Sequence, residues 1–247
     1  MNISFVRDQA AEYNSASTPT VQPLQQGLAG PRRVALPAFR RSAAAYSIAK
    51  RVLDVGVSLT AVLLGAPFML AIAIAVKLES KGPVLFGHVR LGKNGRYFRC
   101  YKFRTMHAGA QSELLRNPEL KRIYVENDFK VPLEKDPRVT RFGRFLRKSS
   151  LDELPQFFNV LGGSMSLVGP RPIVQEELAW YSDDEKAEFL SVRPGITGAW
   201  QVQGRSRIGY PARTRVELDA IREQSFWRDV RLLAISVPAV ITSRGSL

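Results

Sequence analysis

Between Val55 and Val76 the chain reads VGVSLTAVLLGAPFMLAIAIAV, 22 consecutive residues without a charge. About 20 apolar residues suffice to cross the hydrocarbon of a bilayer. A buried helix of a water-soluble domain rarely lacks a polar face over such a distance. The pattern therefore predicts a membrane-inserted helix. Gly65 and Pro67 sit at its middle, where proline removes a backbone donor and kinks a helix. Lys50 and Arg51 flank one end and Lys77 and Lys81 the other, so positive charge assigns no direction across the membrane. A helix that enters, breaks at Pro67 and returns to the same face accounts for both features; a kinked span accounts for them too.

Beyond Ser80 the pattern is that of a mixed α/β domain. GPVLF (82–86) and YFRCYKF (97–103) are rich in β-formers and flank the turn sequence RLGKNGR (90–96), which predicts a hairpin. Residues 109–124 alternate charged and apolar positions at helical spacing. In PRVTRFGRFLRK (137–148), Val139, Phe142 and Leu146 share a helical face with Phe145 beside them, and arginines cover the rest. Such a helix suits either a lipid surface or the outside of a soluble core, and Gly143 weakens it slightly. LLAISVPAVI (232–241) is too short to span and predicts core packing or interfacial contact. Residues 1–45, rich in Ala, Ser, Gln, Pro and Arg, show no periodicity and predict a mobile tail without the apolar core of a signal peptide. The expected organisation is a tail (1–45), a membrane helix (46–80) and a helix-rich α+β domain (81–247).

Composition narrows the chemistry. Lys and Arg number 36 against 22 Asp and Glu, a formal +14, which favours polyanionic company: nucleic acid, anionic lipid or phosphorylated small molecules. A mean hydropathy of −0.12 confines any membrane attachment to a local segment. Cys100 is the only cysteine, and His88 and His107 are the only histidines. Intramolecular disulfides and thiolate metal clusters are excluded, and neither a zinc site nor a Ser-His-Asp triad is expected. A metal here would be a hard cation held by carboxylates and phosphate oxygens.

The stretch RKSSLDELPQ (147–156) carries the most informative carboxylates. Ser150 followed three residues later by Glu153 matches a capping box and predicts a helix start. Asp152 and Glu153 then fall in the first turn, where the helix dipole and the nearby Arg147 and Lys148 favour their ionised forms. An ionised aspartate is a candidate nucleophile for phosphorus or a Mg²⁺ ligand. Adjacent helical residues diverge by about 100°, so the two carboxylates point to different tasks. Capping residues of this type are also routine without chemistry. In GGSMSLVGPRP (162–172), Arg171 stands between two prolines as a pre-positioned guanidinium suited to phosphate. In RPGITG (193–198), Pro194, Gly195 and Thr197 form a turn whose glycine backbone can approach a ligand. Lys102 and Arg104 in YKFRTM add phosphate-seeking charge. No dinucleotide fingerprint and no P-loop occurs.

Taken in order, KRVLDVG, GPVLF, RLGKNGRYF, YKFRTM, DPRVTRFGRFLRKSSLDELPQ, NVLGGSMSLVGPRP and RPGITG resemble the bacterial sugar transferase family of small monotopic polyprenyl-phosphate phosphoglycosyl transferases. The resemblance runs from about Lys50 to Gly204 and more loosely onward. It implies a re-entrant helix broken at proline and a domain on the cytoplasmic face of the bacterial inner membrane, with amphipathic helices at the interface. It implies transfer of a sugar 1-phosphate from a UDP-sugar, UDP-galactose or UDP-glucose foremost, to undecaprenyl phosphate with release of UMP. Such a reaction begins exopolysaccharide or a related glycan. On this resemblance Asp152 is the nucleophile, Glu153 its Mg²⁺-associated partner, and Arg147 and Arg171 line the site. Membrane lipid is a further partner, nucleic acid is not, and a homodimer stays open. Two departures stand out: Ala66 precedes Pro67 where the family often has serine, and the tyrosine expected shortly after Leu218-Asp219 is missing. The competing class is a non-catalytic, membrane-anchored module for anionic lipid or nucleic acid, which explains the charge but not paired carboxylates beside fixed arginines.

Overall fold

The uncharged run folds as part of one long helix, α1 (Arg40–Glu79), which leads into a helix-rich α+β domain. The structure is a computed structural model that describes residues 40–126, 131–204 and 208–241. The expected tail falls outside the described residues up to position 39, and residues 40–45 already belong to α1. The helix continues through Pro67.

Spacing explains how α1 sits. Tyr46, Lys50, Asp54 and Ser58 recur every four residues and form one polar stripe. Tyr46 Oη and Lys50 Nζ donate to Asp229 Oδ2 (2.9 and 2.7 Å). Asp54 Oδ1 accepts from Ser166 Oγ (3.1 Å) and from the Leu167 N–H (3.0 Å). Arg51 donates to the Val160 and Leu161 carbonyls at the end of another helix (2.6 and 2.9 Å). Farther along, Ile72 and Val76 pack on Phe103 and Leu146. Between these docked ends Leu59, Leu63, Leu64, Phe68 and Leu70 are exposed. The domain thus covers one side of α1, and on the other side exposed apolar residues run from Ile48 to Leu78.

The hairpin forms as expected, from β1 (Leu85–Leu91) and β2 (Tyr97–Phe103), antiparallel with Leu85 opposite Phe103 and Leu91 opposite Tyr97. β1 takes in Arg90 and Leu91 from the expected turn, which tightens onto Asn94 and Gly95, both at positive φ (59° and 72°). Directly opposed residues share a face, so Phe86, His88 and Arg90 lie with Lys102, Cys100 and Phe98. The helical spacing over 109–124 becomes α2 (Ala110–Arg116) and α3 (Pro118–Glu126).

α4 (Arg141–Ser149) starts at Thr140, whose side chain accepts from the Gly143 N–H (3.0 Å). Val139 precedes the helix and bridges Met106, while Leu146 turns inward and Phe145 outward. Gly143 has a packing reason: a β-carbon there would run into the Thr105 carbonyl. The capping box does not form. Ser150 ends α4 in the left-handed conformation (φ 58°) and makes no side-chain cap, whereas an N-cap serine needs an extended backbone. Asp152 and Glu153 instead occupy a 3-10 turn, Leu151–Glu153, ahead of α5 (Gln156–Leu161).

A second, parallel pair joins β3 (Ser166–Val168) to β4 (Gly195–Thr197). Side chains at Gly169, Gly195 or Gly198 would strike the facing backbone, so the GPRP and RPGITG loops are locked main chain to main chain. The remaining helices are α6 (Asp183–Phe189), α7 (Ala199–Gln203), α8 (Ala212–Arg222) and α9 (Phe226–Ile241), with a 3-10 segment at Gln175–Trp180. In α9, Leu232 and Leu233 pack on the cluster of Cys100, Val160, Met165, Leu167 and Val168.

Candidate active site

The 3-10 turn between α4 and α5 presents Asp152 and Glu153 to the end of β2. Lys102 Nζ lies 2.6 Å from Glu153 Oε1 and 3.7 Å from Asp152 Oδ2. Asn159 on α5 fixes this spacing. Buried within the apolar run QFFNVL, its Oδ1 accepts from the Tyr101 N–H (2.9 Å) and its Nδ2 donates to the Arg99 carbonyl (2.7 Å). α5 is thereby pinned to the strand residues beside Lys102. From α4, Arg147 Nε donates to Thr105 Oγ1 (2.9 Å), and Thr105 is itself held by its carbonyl accepting from Thr140 N–H (3.0 Å).

Burial dominates the electrostatics of the dyad. Asp152 is 7% exposed, and desolvation pushes its carboxyl up to about 6, with Lys102 opposing and Glu153 reinforcing the shift. The expectation that a helix start lowers this pKa is reversed because the turn is short and the group is enclosed. Burial would lower the Lys102 ammonium, but Glu153 and then Asp152 outweigh it and raise it. Lys102 stays charged and compensates the two carboxylates. Burial lowers Arg147 while Asp152 and Asp136 pull it back.

Arg171 approaches from the loop after β3, close enough to act on Lys102. It belongs to a cluster of Arg90, Arg213, Glu177 and Glu217. Glu177 accepts from Arg90 Nη1 (3.3 Å), Arg213 Nη1 (3.1 Å) and Tyr210 Oη (3.0 Å). Burial raises Glu217 to about 7. His88 and Arg90 share the hairpin face with Lys102 and link the dyad to this cluster. Burial first, and then Arg90, lowers the His88 pKa.

Other sequence candidates sit elsewhere. Arg104 donates to the carbonyls of Val76 (3.1 Å), Ser80 (2.6 Å) and Pro83 at the exit of α1. Its guanidinium satisfies an open helix end instead of facing the dyad. Gly195 approaches the Gly169 backbone, Pro194 is buried beside it, and Thr197 Oγ1 shares a hydrogen bond with Ser236 (2.7 Å). These three brace the Arg171 loop. Asn159, Thr105 and the Arg213–Glu217 pair were not legible as site residues; a polar residue enclosed by Phe157, Phe158, Val160 and Leu161 was the only trace of Asn159.

Among the described residues no three His, Cys, Asp or Glu side chains are placed together to hold a metal ion. Asp152 and Glu153 alone supply hard oxygen donors. That set fits Mg²⁺, which typically takes one or two carboxylates and completes its shell with water and substrate phosphate.

The sequence profile described as bacterial sugar transferase matches residues 45–243. The undecaprenyl-phosphate galactose phosphotransferase of Salmonella typhimurium is 42% identical over 200 residues, covering 80% of this chain and 41% of that protein. The exopolysaccharide production protein ExoY of Rhizobium meliloti is 42% identical over 81% of this chain and 88% of its own length. The UDP-glucose:undecaprenyl-phosphate glucose-1-phosphate transferase of Caulobacter vibrioides is 40% identical over 81% of this chain and 72% of its own. The chain thus matches about two fifths of the Salmonella protein and most of ExoY.

Proposed function

The chain belongs to the bacterial sugar transferase family, and from that premise we propose that it transfers a hexose 1-phosphate from a UDP-sugar to undecaprenyl phosphate and releases UMP. UDP-galactose and UDP-glucose are the leading donors, in keeping with the names of its relatives. The observation that carries the reading is the enclosed Asp152, compensated by Lys102 and approached by Arg147, with Arg171 near enough to act on Lys102.

In the first step an Asp152 carboxylate oxygen attacks the β-phosphorus of the UDP-sugar. The bond from that phosphorus to the bridging oxygen breaks, and its electron pair leaves with UMP. In the second step an oxygen of the lipid phosphate attacks the same phosphorus. The phosphorus–Asp152 bond breaks, the carboxylate is regenerated, and a lipid-linked diphosphosugar departs. With a carboxyl pKa of about 6, most Asp152 is ionised at neutral pH and needs no general base. Arg147 and Arg171 hold negative charge on the phosphate oxygens, and Lys102 keeps the dyad from repelling the donor. Glu153 and Asp152 would hold Mg²⁺, which neutralises phosphate charge when bound.

The same reading puts the site at a membrane surface. α1 contains a segment, Ala44–Glu79, long and apolar enough to cross a membrane. Ser58 and Ile72 are both buried on the domain, however. On the other side of α1 exposed apolar residues run from Ile48 to Leu78, about 45 Å of helix at 1.5 Å per residue. Basic residues at both ends of the uncharged run, Lys50 and Arg51 against Lys77 and Lys81, with Pro67 between them, support re-entry and a domain on the cytoplasmic face of the inner membrane. The test is UMP release by membranes carrying the protein, across a panel of UDP-sugars, with and without undecaprenyl phosphate and Mg²⁺. Turnover that survives in Asp152→Asn defeats the assignment.

A further inference from the structure

Behind Arg171 lies a buried ionic cluster that takes no part in the steps above. Arg171 stands between Pro170 and Pro172, and its N–H donates to Glu217 Oε1 (3.2 Å). Its guanidinium carbon lies 5.3 Å from the centre of the Trp200 ring, and that of Arg213 lies 4.4 Å from the same ring. Trp200 is buried and anchored by Nε1 donating to the Ile208 carbonyl (2.8 Å). Arg213 reaches Glu177 Oε2 (3.1 Å) and, through Nε, Glu217 Oε1 (3.8 Å). Arg90 and Arg213 thus form ion pairs with carboxylates, whereas the Arg171 guanidinium forms none among the described residues and feels Glu177 and Glu217 only at longer range.

Glu217 is 1% exposed, and its Oε2 has no hydrogen-bond partner among the described residues. A carboxyl held this way opposes folding unless something else requires it. What it contacts is the main chain of Arg171, whose guanidinium is the one in this cluster that makes no ion pair among the described residues. We propose that Glu217 is a positioning residue of the donor-phosphate site, fixing the Arg171 main chain while Arg213 and Trp200 hold the shelf on which the Arg171 guanidinium lies. The inference rests on the reading that Arg171 binds the diphosphate of the UDP-sugar. It adds that the aim of Arg171 is set from α7 and α8, through residues that do not touch the dyad.

The experiment measures UMP release against UDP-sugar concentration, at saturating undecaprenyl phosphate, for the purified full chain and three variants. Glu217→Ala should raise KM for the UDP-sugar about tenfold, as for the loss of one charge-assisted hydrogen bond, with kcat changed by less than about threefold. Glu217→Gln keeps an acceptor for the Arg171 N–H and should recover most of that KM. Trp200→Leu removes the shelf and should raise KM as Glu217→Ala does. A Glu217→Ala protein with normal KM and an unchanged thermal midpoint overturns the proposal, as does a Glu217→Gln protein no better than Glu217→Ala. If Glu217→Ala does not fold, a normal KM in Trp200→Leu overturns it. Failure of the unaltered protein to release UMP from any UDP-sugar defeats the functional reading beneath it, and needs no variant to be seen.

Discussion

Replacing Lys102 by glutamine should move the pH dependence of the reaction and not merely slow it. Lys102 Nζ stands 3.7 Å from Asp152 Oδ2 and 2.6 Å from Glu153 Oε1. A unit charge at 3.7 Å is worth about 1 kcal/mol at the dielectric of water and about 4.5 kcal/mol at an effective dielectric of about 20. Removing it therefore raises the Asp152 pKa by about 1 to 3 units, from about 6. At pH 7 the ionised nucleophile drops from about nine tenths to between about a half and about a hundredth. The assay is initial UMP release from saturating UDP-sugar at pH 5 to 9.5. In the unaltered protein the rate should climb with pH and level off above about 6, because lowering the pH protonates the attacking carboxylate. In Lys102→Gln the climb should shift upward, and the deficit should shrink as pH rises. A deficit of the same size at every pH, with the climb still near 6, would refute the claim that Lys102 acts by holding Asp152 ionised.

Two further outcomes follow from the packing around the site. Asn159→Ala strips the Tyr101 N–H and the Arg99 carbonyl of buried partners, so the thermal midpoint should fall by the equivalent of about 1–3 kcal/mol, with a loss of kcat measured in the same preparation. Leu64→Asp places a charge on the exposed apolar side of α1, where leucine is 79% open. At a cost of about 2.5–3.5 kcal/mol in hydrocarbon, it should lower the membrane-bound fraction in flotation while leaving the thermal midpoint in detergent unchanged.

The hairpin was legible because β-formers flank a turn rich in Gly and Asn, and the apolar run announced α1 by length alone. The position of α1 on the domain was less visible. Its polar stripe of Tyr46, Lys50, Asp54 and Ser58 repeats every four residues, but the partners Asp229, Ser166 and Leu167 lie more than a hundred residues away. Ser150 misled for a local reason. The Ser-x-x-Glu spacing of a capping box occurs here, yet the serine closes the preceding helix in a left-handed conformation. Arg104 and Arg171 look alike in sequence as arginines in conspicuous motifs. Only the fold separates them, since one faces three helix-exit carbonyls and the other an indole shelf near Lys102. Spacing also cannot report enclosure, so the upward shift of Asp152 was hidden until its burial was known.

The central claim is that Asp152 forms a bond to phosphorus. Intact-protein mass spectrometry after incubation with a UDP-sugar and Mg²⁺, with undecaprenyl phosphate left out, tests it most directly. The account predicts one sugar phosphate added per chain, matched by one UMP released, located on the peptide containing Asp152 and discharged when undecaprenyl phosphate is supplied. An unmodified protein that releases UMP only when the lipid phosphate is present would contradict it and would point to direct transfer between the two substrates.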